Sequence, residues 1–187
     1  MRIVAGQAKG RRLAAPAAGT RPTSDRAREA LFNALLALAP VSGARVLDLY
    51  AGTGAVGLEA LSRGAAEAVF VESSRSALAM LRRNIETVGL PGARVIARSV
   101  PAFFRTVPDA AFEAGFDIVF ADPPYALDDA ALEEVLAALV APGWLADDAI
   151  VVVERSARGS APPWPAEITE LQQRRYGEGT LWYGRRR

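Results

Sequence analysis

The chain has 187 residues, 22 basic and 21 acidic, half of them apolar, with neither Cys nor His. Without those two residue types, disulfides, thiolate nucleophiles, Ser-His triads and zinc centres are excluded, and chemistry falls to carboxylates and backbone groups. No apolar run approaches the roughly 18–20 residues of a membrane span. The start, Met1-Arg2-Ile3-Val4-Ala5-Gly6, lacks the charged-then-apolar pattern of a secretory leader, so a cytoplasmic protein is expected.

The net charge of +1 is unevenly spread. Residues 1–28 carry seven basic residues against Asp25 alone (+6), residues 174–187 carry five against Glu178 (+4), and residues 29–173 sum to −9. An acidic body with cationic ends suits a polyanionic substrate, the plainer alternative being terminal charge that is merely solvated. The domain organisation expected is a basic N-terminal arm or hairpin over 1–22 and an α/β domain over 23–187.

In chain order, Arg2-Ile3-Val4 and Arg12-Leu13-Ala14 flank Gly6 and Gly10 as a short hairpin, and Pro16, Gly19 and Pro22 interrupt any regular structure after it. Ser24 is a suitable N-cap for a helix over about 25–39, with Ala27, Ala30, Leu31, Ala34, Leu35 and Leu38 at helical spacing. Strand-like and helix-like segments then alternate: strands at 45–49, 68–72, 94–97, 116–121 and 149–154, and helices ending near Arg63, over 75–88, near 101–106 and over 128–139. Two further strands, 167–176 and 180–184, are joined by Gly177-Glu178-Gly179, a hairpin signal. The pattern predicts a doubly wound, mostly parallel sheet of seven strands closed by an antiparallel C-terminal hairpin.

After the first strand, Asp48-Leu49-Tyr50-Ala51-Gly52-Thr53-Gly54-Ala55-Val56-Gly57 contains GxGxxG, and Glu72 closes the second strand. This spacing fits an adenosine-bearing cofactor, with glycines for close backbone approach and an acid for ribose hydroxyls. Asp48 opposes a pyrophosphate electrostatically but suits the ammonium and sulfonium of S-adenosylmethionine. A nicotinamide oxidoreductase is the rival reading, and it leaves the next motif unexplained.

That motif is Asp122-Pro123-Pro124-Tyr125, at the carboxyl end of the fourth strand, where open α/β sheets bind ligands. The prolines fix φ near −65°. The Asp122 carboxylate and the Pro123 carbonyl can engage both N–H donors of a planar amino group and aim its lone pair at a methyl donor, while Tyr125 stacks on the ring. A base held this way must be flipped out or single-stranded. Without the glycine loop, the same tetrapeptide would read equally well as a strand-ending turn.

These motifs, with Lys9-Gly10-Arg11-Arg12-Leu13, Arg21-Pro22-Thr23-Ser24-Asp25-Arg26 and Ser62-Arg63-Gly64-Ala65, resemble the RsmD-type bacterial 16S ribosomal RNA guanine N2-methyltransferases, class I S-adenosylmethionine-dependent enzymes with a Rossmann-like sheet. The resemblance implies methylation of a guanine N2 amino group in 16S rRNA, with an assembling small ribosomal subunit as partner. It implies a monomer with no metal and no membrane association. Asp122, Pro123, Pro124 and Tyr125 would hold the guanine. Asp48, Tyr50, Ala51, Gly52, Gly54, Glu72 and Ser73 would line the cofactor, with Ser99 and Val100 at its adenine, where the acid or amide common in the wider class is missing. Arg2, Lys9, Arg11, Arg12, Arg21 and Arg26 would contact RNA. The alternatives are DNA adenine N6- or protein glutamine methylation, and a non-catalytic RNA-binding assembly module.

Overall fold

A computed structural model of the chain describes residues 1–15, 24–106, 114–124 and 126–187. The elements run α1 Asp25–Leu36, β1 Arg45–Leu49, α2 Ala55–Ser62, β2 Glu67–Glu72, α3 Arg75–Val88, β3 Ala93–Ala97, α4 Val100–Phe104, β4 Phe116–Ala121, α5 Asp129–Leu139, β5 Leu145–Ser156, β6 Ile168–Tyr176 and β7 Gly179–Arg186. They form one seven-stranded sheet in the order β3-β2-β1-β4-β5-β7-β6. The first five strands pair in parallel, and β7 pairs antiparallel with both β5 and β6. The chain therefore reaches the sheet edge with β6 and turns back to insert β7 beside β5.

Strand alternation sends side chains to two cores. Val46, Phe70, Phe120, Val152 and Tyr183 pack against α1, α2 and α3, while Leu47, Val69, Val119 and Val151 pack against α4 and α5. Each strand buried on both faces reads as a continuous apolar run, as expected for a covered parallel sheet.

Two boundaries differ from the sequence expectation for identifiable reasons. The helix α1 stops at Leu36 because the Leu38 and Ala39 amides both turn back onto the Leu35 carbonyl ahead of Pro40. The strand β5 begins at Leu145, before the Ala146-Asp147-Asp148 stretch that looks like a turn. Asp148 adopts φ 59° there, and the register with β4 shifts between Phe116 and Ile118.

The first fifteen residues are fastened to the domain. Arg2 and Arg12 form a bridge, and the Glu59 carboxylate of α2 accepts from the Val4 and Ala5 amides at 2.7 and 2.9 Å. Gly6 lies so close to the end of α2 that a Cβ would meet the Ser62 carbonyl oxygen at 1.8 Å. Glu59 also faces Arg28 and Arg63, and both Glu59 and Arg28 are fully buried. Arg28, one of the seven basic residues at the N-terminal end of the sequence, is thus a core residue of α1, and its guanidinium also meets Asp25 at 2.9 Å. The sequence signal for this is its place on the inward stripe with Leu31, Phe32 and Leu35.

Candidate active site

Parallel strands deliver their carboxyl ends to one rim, and the glycine loop sits there between β1 and α2. The loop closes through Ala51 N–H donating to the Val71 carbonyl at 3.1 Å and Gly54 N–H donating to the Ala51 carbonyl at 2.7 Å. Its glycines do different work. A Cβ on Gly52 would meet nothing nearer than the Tyr50 carbonyl at 3.9 Å, so that surface is open to a ligand. A Cβ on Gly54 would come within 2.3 Å of Leu81, and one on Gly57 within 2.4 Å of Phe70, so these two let α2 press onto the sheet and α3. Tyr50 enters the loop at φ 58°, a left-handed conformation costly for a bulky residue and typical of ligand-binding turns.

Glu72 braces this loop. Its Oε2 accepts from Gly52 N–H at 2.8 Å, and its Oε1 accepts from Ser73 and Ser74 N–H at 2.7 Å each. Of the four lone-pair positions of a carboxylate, three are thus occupied and one on Oε2 remains. Asn84 holds the loop from the opposite side. Fully buried, it donates to the Thr53 carbonyl at 2.9 Å and to the Ala14 carbonyl at 3.1 Å, and accepts from Ala14 N–H at 2.7 Å. Nothing in the sequence marks Asn84 as a member of the site; its partners lie 31 and 70 residues away.

Asp48, expected to line the cofactor, is buried near the end of β1. It is 2% exposed, and its Oδ2 accepts from Gly57 N–H at 2.9 Å, in the manner of a cap on the first turn of α2. Burial pushes its carboxyl up to about 8, with the charges of Asp122 and Glu72 adding to the effect. Asp122 follows the last β4 residue and is pushed up to about 7, by burial first and by Glu154 second. In the register, Ala121 pairs with Val153, so Asp122 and Glu154 are level on neighbouring strands, about 4.8 Å apart in the sheet. Alternation from Phe70, Phe120 and Val152 places Glu72, Asp122 and Glu154 on one face with Asp48. Four carboxylates therefore line the rim across four adjacent strands. The row gathers at no point into a cluster able to hold a metal ion, among the described residues.

Glu154 is the site residue that sequence reasoning misses. A lone acid ending an apolar strand is common, and only the register brings it beside Asp122. Beyond it stand Tyr183, Arg174 and Tyr176 of the C-terminal hairpin, with Glu154 close enough to act on the Tyr183 hydroxyl. The Tyr183 hydroxyl is fully buried with no hydrogen-bond partner among the described residues, and burial raises its pKa.

In the tetrapeptide, Pro123 is buried, Pro124 is exposed, and the Pro124 carbonyl accepts from Leu127 N–H at 2.8 Å, which commits it to the turn into α5. Tyr125 and Arg21 lie outside the described residues. Ser99 caps α4, accepting from Ala102 N–H at 3.4 Å, while Val100 is buried as its first residue. Both follow β3, whose Ala97 pairs with Glu72. Of the expected RNA-contacting residues, Arg2 pairs with Asp25 at 3.7 Å, and the exposed Lys9 and Arg12 belong to the N-terminal hairpin. Arg26 is exposed near the start of α1. The Arg11 guanidinium donates to the Val88 carbonyl at the end of α3. Because α2 and α3 start at the site and run away from it, their last residues, Ser62 and Val88, lie toward the far end of the sheet with the Arg11 contact, while Ala14 meets Asn84 and through it the glycine loop.

Comparison with known proteins places this arrangement. The chain matches the family described as "Conserved hypothetical protein 95" over residues 1–185. It is 42% identical over 168 residues to the Escherichia coli ribosomal RNA small subunit methyltransferase D, covering 89% of this chain and 80% of that one. The Haemophilus influenzae protein of the same name is 35% identical, covering 82% and 78%. A solved structure of a hypothetical protein from Thermus thermophilus superposes with a TM-score of 0.81 at 38% identity, covering 98% of each chain. The chain belongs to this family. It is an RsmD-type, S-adenosylmethionine-dependent methyltransferase. The residues fit that cofactor. The open surface over Gly52 admits it, Glu72 keeps an acceptor for its ribose, and the carboxylate row, two of its members pushed toward neutrality, is a place where a sulfonium and an ammonium are favoured.

Proposed function

We propose that this chain methylates the exocyclic N2 amino group of a guanine in 16S ribosomal RNA, in the bacterial cytoplasm and as a monomer, with Asp122 to Tyr125 holding the base. The observation that carries the reading is the Asp122–Glu154 pair at the carboxyl end of β4 and β5, beside the glycine loop. When bound, S-adenosylmethionine supplies an electrophilic methyl group on a sulfonium.

The chain's own residues supply the rest. The ionised Asp122 carboxylate and the Pro123 carbonyl accept the two N2–H donors, which localises the nitrogen lone pair and fixes its direction. As positive charge develops on N2, the proton released passes to Asp122, whose raised pKa makes it a competent acceptor near neutral pH. Glu154 explains the choice of base. Guanine carries a ring N–H next to its amino group, whereas adenine and cytosine carry a lone pair there. A second negative charge beside the amino holder therefore favours guanine and opposes the other two. Asp48, fastened to Gly57, keeps the start of α2 and its loop in place.

The test is incubation with labelled S-adenosylmethionine and, separately, small ribosomal subunits, naked rRNA, DNA and protein extract, followed by digestion to nucleosides. Label is expected in N2-methylguanosine from 16S rRNA. Label confined to DNA or to protein would overturn the reading.

A further inference from the structure

Among the described residues, Arg175 of the C-terminal basic cluster stands at the rim that carries Asp122. The strand β7 runs antiparallel to β5, so the C-terminal cluster is split between the two ends of the sheet. Arg185 and Arg186 donate to the carbonyls of Leu38 and Leu145, the latter at the start of β5, and Arg187 to Thr169 Oγ1. Arg175 instead pairs in the sheet with Thr180 and through it with Arg155, next to the Ser156–Gly179 pair at the site end. There the continuation of β5 and the β6–β7 turn enclose a groove of about 510 Å³, lined by Ser156, Ala157, Arg158, Arg175 and Glu178.

We propose that this groove holds the RNA backbone next to the target guanine, with Arg158 and Arg175 contacting its phosphates. Ser156 stands two residues beyond Glu154 on the same strand, about 7 Å along the chain, so a nucleotide whose base enters beside Asp122 has its neighbour's phosphate within reach. Ala157 N–H donates to the Glu178 carbonyl at 2.7 Å, which ties the β5 continuation to the hairpin turn and gives the groove fixed walls. Arg158 and Arg175 are exposed, and neither guanidinium has a hydrogen bond or ion pair among the described residues. Their neighbour Arg155 is taken by Asp129. Other arginines are likewise engaged: Arg11 by Val88, Arg28 and Arg63 by Glu59, Arg45 and Arg94 by Glu67. Glu178 also lines the groove, leaving it net positive.

The proposal rests on the guanine-methylating reading, and one experiment separates the two. Binding of a 16S rRNA transcript is measured against salt for the wild type, for R158A/R175A and for R11A/R12A, together with S-adenosylhomocysteine affinity and steady-state methylation. The R158A/R175A double variant should show a salt slope shallower by about 0.7–0.9 for each phosphate it no longer neutralises, and an affinity about ten-fold or more lower near 100 mM salt. Its KM for RNA should rise while kcat and S-adenosylhomocysteine affinity hold. An unchanged slope in R158A/R175A, or a loss found in R11A/R12A alone, overturns the groove. A wild type that methylates no RNA while R158A/R175A still loses salt slope overturns the guanine reading and keeps the groove.

Discussion

The two ends of the sheet handle charge in opposite ways. Toward the amino ends of the strands and along the flanks of α1 and α2, cations are matched to acceptors. Glu59 gathers Arg28, Arg63 and two backbone amides, and Arg185 and Arg186 close onto carbonyls. At the carboxyl ends, Glu72, Asp48, Asp122 and Glu154 stand in a row, with burial and mutual repulsion holding two of them partly protonated. Charge at the first end holds the chain together; charge at the second is gathered with one sign along a rim open to a cationic cofactor and a hydrogen-bond-donating base. Sequence counts alone merge these roles, since Arg28 and Arg175 weigh the same in a tally.

Substitutions can test the contrast. The largest effect is expected at the working end. Asp122→Ala should lower kcat about 100-fold or more, the scale of lost positioning and proton acceptance, while S-adenosylhomocysteine affinity measured by calorimetry changes little. At the structural end, Glu59→Ala strands the buried Arg28 and releases the N-terminal hairpin, and urea unfolding should show a loss of about 3–5 kcal/mol. A small stability loss there would mean that the hub is dispensable and the contrast is false. Glu154→Gln removes one charge from the row. Guanine should then be preferred over adenine in an otherwise identical oligonucleotide by about ten-fold less, the scale of one hydrogen bond to a charged group. The acid limb of the rate profile should move to lower pH as Asp122 ionises more readily.

A further effect concerns pH. Asp48 sits near the unperturbed 3.8 when unfolded and near 8 when folded, so between those values the folded state binds the extra proton, and stability falls as pH rises. Asp48→Asn keeps the acceptor for Gly57 and removes the titration. Melting curves of the cofactor-free wild type should drop relative to Asp48→Asn from pH 5 to pH 8, and S-adenosylmethionine should narrow the gap at the upper end.

Much of this architecture is written in local pattern. The alternation of apolar runs with Ser24, Ser74 and Asp128 caps places helices and strands, and the glycine loop and tetrapeptide mark the rim. What local pattern does not carry is register and strand order. That Glu154 neighbours Asp122, that β7 inserts beside β5 and that Arg174-Arg175 and Arg185-Arg186-Arg187 part company all depend on which strands pair, a property of residues far apart in the chain. Asn84 and Glu59 escape notice for the same reason, since each bonds to residues dozens of positions away.

Those long spans set an order in time. The first fifteen residues leave the ribosome ahead of their partners in α2 and α3: Glu59, Ser62, Asn84 and Val88 follow 54 to 77 positions later. At about 5–20 residues per second, the N-terminal segment waits roughly 4–15 s before α2 and α3 exist to receive it. The fastening of Ala14 to Thr53 through Asn84 therefore waits on α3, and the cofactor loop gains its outer brace only when a segment made some seventy residues earlier comes back to it.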